Sequence, residues 1–151
     1  MLKGARLVVI LLFLAAFGMI FLFMPKEFTT AMGSDFDISQ VEKIEADLIP
    51  VGGEPLQVTL NQGEEAYVDL ITLLQEPTYS RTSSKSDEIT LDYQVYISFA
   101  DSESWGWSYE FMGGKLVSAG PSDAMKTYQI SGGQESQQAI LDFLLSQAEP
   151  A

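Results

Sequence analysis

The chain has 151 residues, of which 46% are hydrophobic, and carries 8 Lys or Arg against 21 Asp or Glu, for a formal net charge of -13. It contains neither cysteine nor histidine, which excludes disulfides, thiol nucleophiles, Ser-His and Cys-His dyads, imidazole zinc ligands and cysteine-linked lipid attachment. The chain from Lys26 onward carries all 21 acidic residues and six of the eight cations, so that part has a net charge of -15. A surface that acidic repels phosphate backbones and anionic headgroups, and it argues against a nucleic-acid partner.

Leu7 to Met24 is a run of 18 uncharged, mostly apolar residues, closed by Pro25 and Lys26. A helix of that length rises about 27 Å, close to the hydrocarbon thickness of a bilayer. Lys3 and Arg6 precede it, so the positive-inside rule keeps the N-terminus cytoplasmic and sends the acidic remainder across. The alternative is a cleaved signal peptide, with Ala31-Met32-Gly33 as a small-x-small cleavage site. The long spacer after an already long apolar run favours an uncleaved anchor. Residues 1–25 are thus expected to be a signal-anchor transmembrane helix and 26–37 a stalk reaching at most about 40 Å.

An extracytoplasmic domain is expected over 38–147, followed by a short tail at 148–151. Ile38 to Ile49 reads as a strand, because Ile44, Ala46 and Leu48 alternate with Lys43, Glu45 and Asp47. A turn at Pro50–Pro55 leads to a second strand through Leu56, Val58 and Leu60. Asn61 and Glu64 stand in capping-box spacing. Tyr67, Leu70, Ile71 and Leu74 then give one apolar helical face, ended by Pro77. Thr78 to Asp87 reads as a polar, mobile loop with a short strand at Tyr79.

Ile89, Leu91, Tyr93, Val95, Ile97 and Phe99 alternate with polar or smaller residues, as do Trp105, Trp107, Tyr109 and Phe111 beyond a turn at Asp101–Ser104. Gly113-Gly114 reads as a two-residue hairpin turn that sets Phe111 opposite Leu116. Leu116–Ala119 and Met125–Ile130 follow as strands. Ser131 and Gln134 have capping-box spacing before a helix with Ile140, Leu141, Leu144 and Leu145 on its apolar face. The order β-β-α-β-β-β-β-α gives an α+β fold. It comprises an antiparallel sheet, a hairpin plus a four-strand meander, packed on one face by two helices.

Few residues point to chemistry. Asp35, Asp37 and Ser39 resemble the start of an EF-hand loop, but Gln40 and Ala46 stand where its Gly and Glu belong. Ser-x-x-Lys spacing fails, because Thr82 lies three before Lys85. Gly52-Gly53, Gly113-Gly114 and Gly132-Gly133 sit at turns and form no phosphate cradle. A carboxylate pair at glycosidase separation has no specificity among 21 acidic residues. The aromatic stripe Trp105, Trp107, Tyr109 and Phe111 is either the core face of a strand or a platform for sugar rings or a peptide. Its candidate ligand-binding residues, if exposed, are Trp105, Trp107 and Tyr109. An odd hairpin loop is expected, which places the stripe on the same face as Val95, Ile97 and Phe99 and buries both tryptophans under the helices.

Tyr109-Glu-Phe-Met-Gly-Gly-Lys115, then Gly120-Pro-Ser122, then Tyr128-Gln-Ile130 and a closing amphipathic helix resemble small exported domains of unknown function from low-GC Gram-positive bacteria. Those domains sit behind an N-terminal anchor or a lipoprotein signal. Here Leu116, Val117 and Ser118 replace the aromatic residues that often follow the Lys in those domains. The resemblance implies no activity, cofactor or site residue. The expectation is a membrane-anchored, non-catalytic binding domain at the bacterial cell surface, with no cofactor and an unidentified protein or cell-wall ligand. The alternatives are a cell-wall carbohydrate-binding module or hydrolase using the aromatic stripe, and a secreted inhibitor after signal cleavage.

Overall fold

A computed structural model describes residues 2–83 and 90–151, and within the first helix the side chains of 4–20. The protein is α+β, with an eight-stranded antiparallel sheet whose strands lie in the spatial order 79–81, 126–130, 116–121, 105–111, 93–100, 43–50, 56–61 and 149–150. The hairpin is β1 (Lys43–Pro50) and β2 (Leu56–Asn61). The meander is β4 (Tyr93–Ala100), β5 (Trp105–Phe111), β6 (Leu116–Pro121) and β7 (Lys126–Ile130), joined to the hairpin by pairing of β1 with β4. Two edge strands complete the sheet. The edge strand β3 (Tyr79–Arg81) pairs with β7, and β8 (Glu149–Pro150) pairs with β2, so the expected tail at 148–151 is part of the sheet.

One face of the sheet carries the core. Ile44, Ala46, Leu48, Val95, Ile97 and Phe99 are buried there at alternate positions, as period-two geometry requires. Helix α3 (Glu65–Gln75) covers it with Tyr67, Leu70, Ile71 and Leu74, and α4 (Gln134–Gln147) with Gln137, Ile140, Leu141 and Leu144. The expected capping boxes are only half met. The Glu64 carboxylate accepts from the Asn61 backbone N–H at 3.0 Å, and Glu64 is itself the residue preceding the helix. Before α4 the flanking residue is Gly133 with no side-chain cap, and the Ser131 hydroxyl instead accepts from the Thr78 N–H at 2.8 Å.

The segment expected to be a stalk is packed into the core. Residues 28–32 form a short helix α2 (Phe28–Met32), and Phe28, Ala31, Met32 and Phe36 are all buried. The Phe28 ring lies 5.7 to 6.2 Å from the rings of Phe36, Phe99, Tyr109 and Tyr79. Backbone bonds between Lys26 and Tyr79, at 2.8 and 2.9 Å, tie the segment to β3. Ile38–Gln40, expected to begin a strand, is a 3-10 turn, and β1 starts only at Lys43.

Two details set the register of the meander. Asp101–Ser104 is a four-residue loop that pairs Ala100 with Trp105, not the odd loop expected, but Gly106 is then an extra residue, so Phe99 faces Trp107, Ile97 faces Tyr109 and Val95 faces Phe111. The bulge turns the rest of β5 toward the core and leaves Trp105 on the opposite face. Gly113 and Gly114 do not form a two-residue turn. Glu110 pairs with Ser118 and Tyr109 with Ala119, which turns Val117 and Ala119 inward and removes Leu116 from the position opposite Phe111. Gly113 adopts φ 128°, and a side chain there would run into Thr90. Its N–H donates to the Gln137 carboxamide at 3.0 Å, whose NH2 in turn donates to the Leu116 carbonyl. Ile89 of the expected strand, and residues 84–87 of the expected loop, fall outside the described residues.

Helix α1 (Leu2–Phe23) precedes this core. Among the described residues no helix is long and apolar enough to cross a membrane.

Phe28→Ala removes the ring at the centre of the aromatic cluster and is expected to cost about 3–5 kcal/mol in urea unfolding followed by circular dichroism. Trp105→Ala, at an exposed position, should stay within about 0.5 kcal/mol of the parent in the same experiment. A chain that begins at Lys26 should unfold cooperatively. One that begins at Ile38, lacking Phe28, Met32 and Phe36, should lose that cooperativity if the segment belongs to the core.

Candidate functional site

The three aromatic candidates do not share a surface. Tyr109 is fully buried and shares a hydrogen bond of 3.0 Å with the Tyr79 hydroxyl, which donates to the Leu74 carbonyl at 2.7 Å. Burial holds both phenols well above the usual tyrosine range. Trp107 is half-buried, with its ring 5.5 Å from that of Phe36. Only Trp105 is exposed, at 43%. Its ring lies 5.5 Å from the Lys43 ammonium, which also pairs with Glu45 at 2.6 Å. The expectation of two buried tryptophans is therefore corrected at Trp105, because the Gly106 bulge reverses its direction.

The carboxylates with perturbed titration are mostly engaged in holding turns. Asp37 accepts from the Ser39 hydroxyl and N–H, which holds its carboxyl below the usual range. Glu64 is lowered in the same way by Asn61. Asp101 is lowered by the N–H groups of Glu103 and Ser104, both at 2.9 Å. Asp37 therefore caps the 3-10 turn that follows it, where an EF-hand reading would make it a ligand. Lys85 of the Ser-x-x-Lys test lies outside the described residues.

Glu110 behaves differently. It sits on the open face of the sheet in a pocket of about 80 Å³ beside Tyr96, Leu116, Ser118 and Thr127. Burial raises its pKa, because the charged form loses hydration there. The pocket has room for a few waters and no larger ligand.

A cleft of about 630 Å³ opens between α2 and the β6–β7 hairpin. Its polar lining is Lys26, Thr29, Thr30, Ser34, Lys126 and Tyr128. Tyr128 is buried as the floor and donates its hydroxyl to the Ala31 carbonyl at 3.1 Å, while the Arg81 guanidinium lies 5.9 Å from its ring. At the opposite wall Gly33, with φ 114°, packs so closely on Pro121 that an added Cβ would lie 3.3 Å from its ring. Sequence reasoning missed this cleft because it assigned its first wall to a stalk.

Helix α1 is the remaining surface feature. Every described side chain from 4 to 20 is exposed, with Leu12 at 65% and Phe13 at 75%. That is a contiguous apolar surface of a kind that folded domains rarely leave in water. Compared with known proteins, the chain matches no family model, no curated protein and no solved structure.

Glu110→Gln tests the half-buried carboxyl. Because the folded-state pKa is raised, ionisation opposes folding, and the penalty grows as pH rises from the unfolded value through the folded one. The variant should have a higher Tm than the parent at pH 7, and the difference should vanish once acid has protonated Glu110 in both states. An unchanged Tm difference across that range would contradict the assignment.

Proposed function

We propose that the chain is a membrane-anchored, extracytoplasmic, non-catalytic binding domain that works at the bacterial cell surface. The observation that carries this reading is α1, whose apolar side chains are exposed along its described length and need a nonaqueous environment. In the sequence the uncharged run reaches Met24, through residues 21–23 whose side chains lie outside the described set, and it provides the length a bilayer requires. Lys3 and Arg6 before the run, and a net charge of -15 after it, favour an N-terminus inside and a domain outside.

The packing of α2 also favours retention of the anchor over cleavage. Cleavage around Ala31-Met32-Gly33 would cut within the buried segment and separate Phe28 from its aromatic partners. A non-catalytic role is supported by the use of Asp37, Glu64 and Asp101 as local turn caps. The sugar-platform alternative retains one exposed ring, Trp105, beside Lys43.

The full-length protein should fractionate with membranes, and protease added outside intact cells should digest the acidic domain. Recovery of a soluble mature form beginning near Met32 or Ser34 would refute the anchored reading.

A further inference from the structure

We propose that the cleft between α2 and the β6–β7 hairpin is an anion site that takes a phosphate group, from a phospholipid headgroup or from a free phosphate compound. Its lining departs from the composition of the domain around it. After Met24 the chain has 6 cations and 21 carboxylates, yet two of those cations, Lys26 and Lys126, line this cleft and no acidic residue lines it among the described residues. Neither ammonium has an ion-pair partner among the described residues, where the one salt bridge is Lys43–Glu45.

The remaining polar groups suit the same ligand. Thr29, Thr30 and Ser34 place hydroxyl donors on the α2 wall. Two compact ammonium charges with several hydroxyls match a tetrahedral anion with many acceptor oxygens. The volume of about 630 Å³ lies within the usual range for small-molecule sites. The walls are fixed by the Tyr128–Ala31 hydrogen bond and by the contact of Gly33 with Pro121. Glu27, Asp35 and Asp123 stand one position from lining residues, but their side chains are exposed and outside the lining, so water and salt weaken their repulsion of a bound anion.

The lipid source rests on the anchored reading. Lys26 stands two residues past Met24, the last residue of the apolar run, so an anchored chain would hold this wall of the cleft near the headgroups. The free-phosphate source does not need the anchor.

The test uses the isotope-labelled full-length chain in a phosphate-free maltoside detergent, titrated with inorganic phosphate. Amide chemical shifts of Gly33, Gly120 and Lys126 are the readout. Those amides should shift and saturate, and added salt should weaken the effect. Lys26→Gln or Lys126→Gln should each weaken binding about two- to five-fold, and the double variant should abolish it while Val95 and Ile97 keep parental shifts. In nanodiscs without free phosphate, replacing phosphatidylcholine by phosphatidylglycerol should move the same amides if the ligand is an anionic lipid. A response to inorganic phosphate alone would assign a soluble ligand. Absence of saturation, or equal shifts in parent and double variant, would overturn the site. A chain that fails to fractionate with membranes but still titrates with phosphate would lose the anchor and keep the cleft.

Discussion

The burial of Phe28 is the constraint on which the rest of the arrangement depends. Its ring packs against side chains from β3, β4 and β5 and against Phe36, so the chain emerging from α1 is fixed to the sheet within a few residues. The same contact holds α2 over the hairpin of β6 and β7, which creates the cleft. Beneath it, the Tyr79 and Tyr109 hydroxyls satisfy one another and the Leu74 carbonyl. Their polar atoms therefore remain paired in the driest part of the core. A chain that loses this ring leaves a cavity among aromatic residues that cannot collapse without moving three strands.

The result is an acidic domain with no flexible spacer between it and the apolar helix. Lys26 is hydrogen-bonded through its backbone to Tyr79, three residues after Phe23 ends α1. On the anchored reading this leaves the domain close to the bilayer, with its electrostatics divided. Most of its surface carries the excess of carboxylates, while Lys26, Lys126 and Arg81 gather around α2, β3 and β7. A net negative domain presenting a local basic cleft on the side where the apolar helix ends would be repelled by extended anionic surfaces and still receive a single anionic group.

Much of the fold was legible in the sequence because its signals were long. Tyr67, Leu70, Ile71 and Leu74 defined α3 through four positions of one face, and Val95, Ile97 and Phe99 defined the core side of β4 through strict alternation. The stalk error has a physical origin. Phe28–Met32 is a five-residue helix with two threonines, too short for a period to register, and its burial comes from aromatic partners distant in sequence. The orientation of Trp105 turned on one extra residue, Gly106, whose bulge cannot be read from alternation alone. Nothing in the hydropathy pattern marks Gln137, yet it is fully buried because Gly113 and Leu116 present backbone groups to it. The cleft was not visible in sequence for a related reason, since Lys26 and Lys126 lie 100 positions apart.

Hydrogen exchange of the full-length chain in phospholipid nanodiscs tests the central claim most directly. The account predicts that the amides of Lys26 and Ala31, which donate to the Tyr79 and Glu27 carbonyls, exchange as slowly as those of the core strand β4 and open only with the domain. Exchange of these amides at the rate of an unstructured tether, while Val95 and Ile97 remain protected, would contradict it.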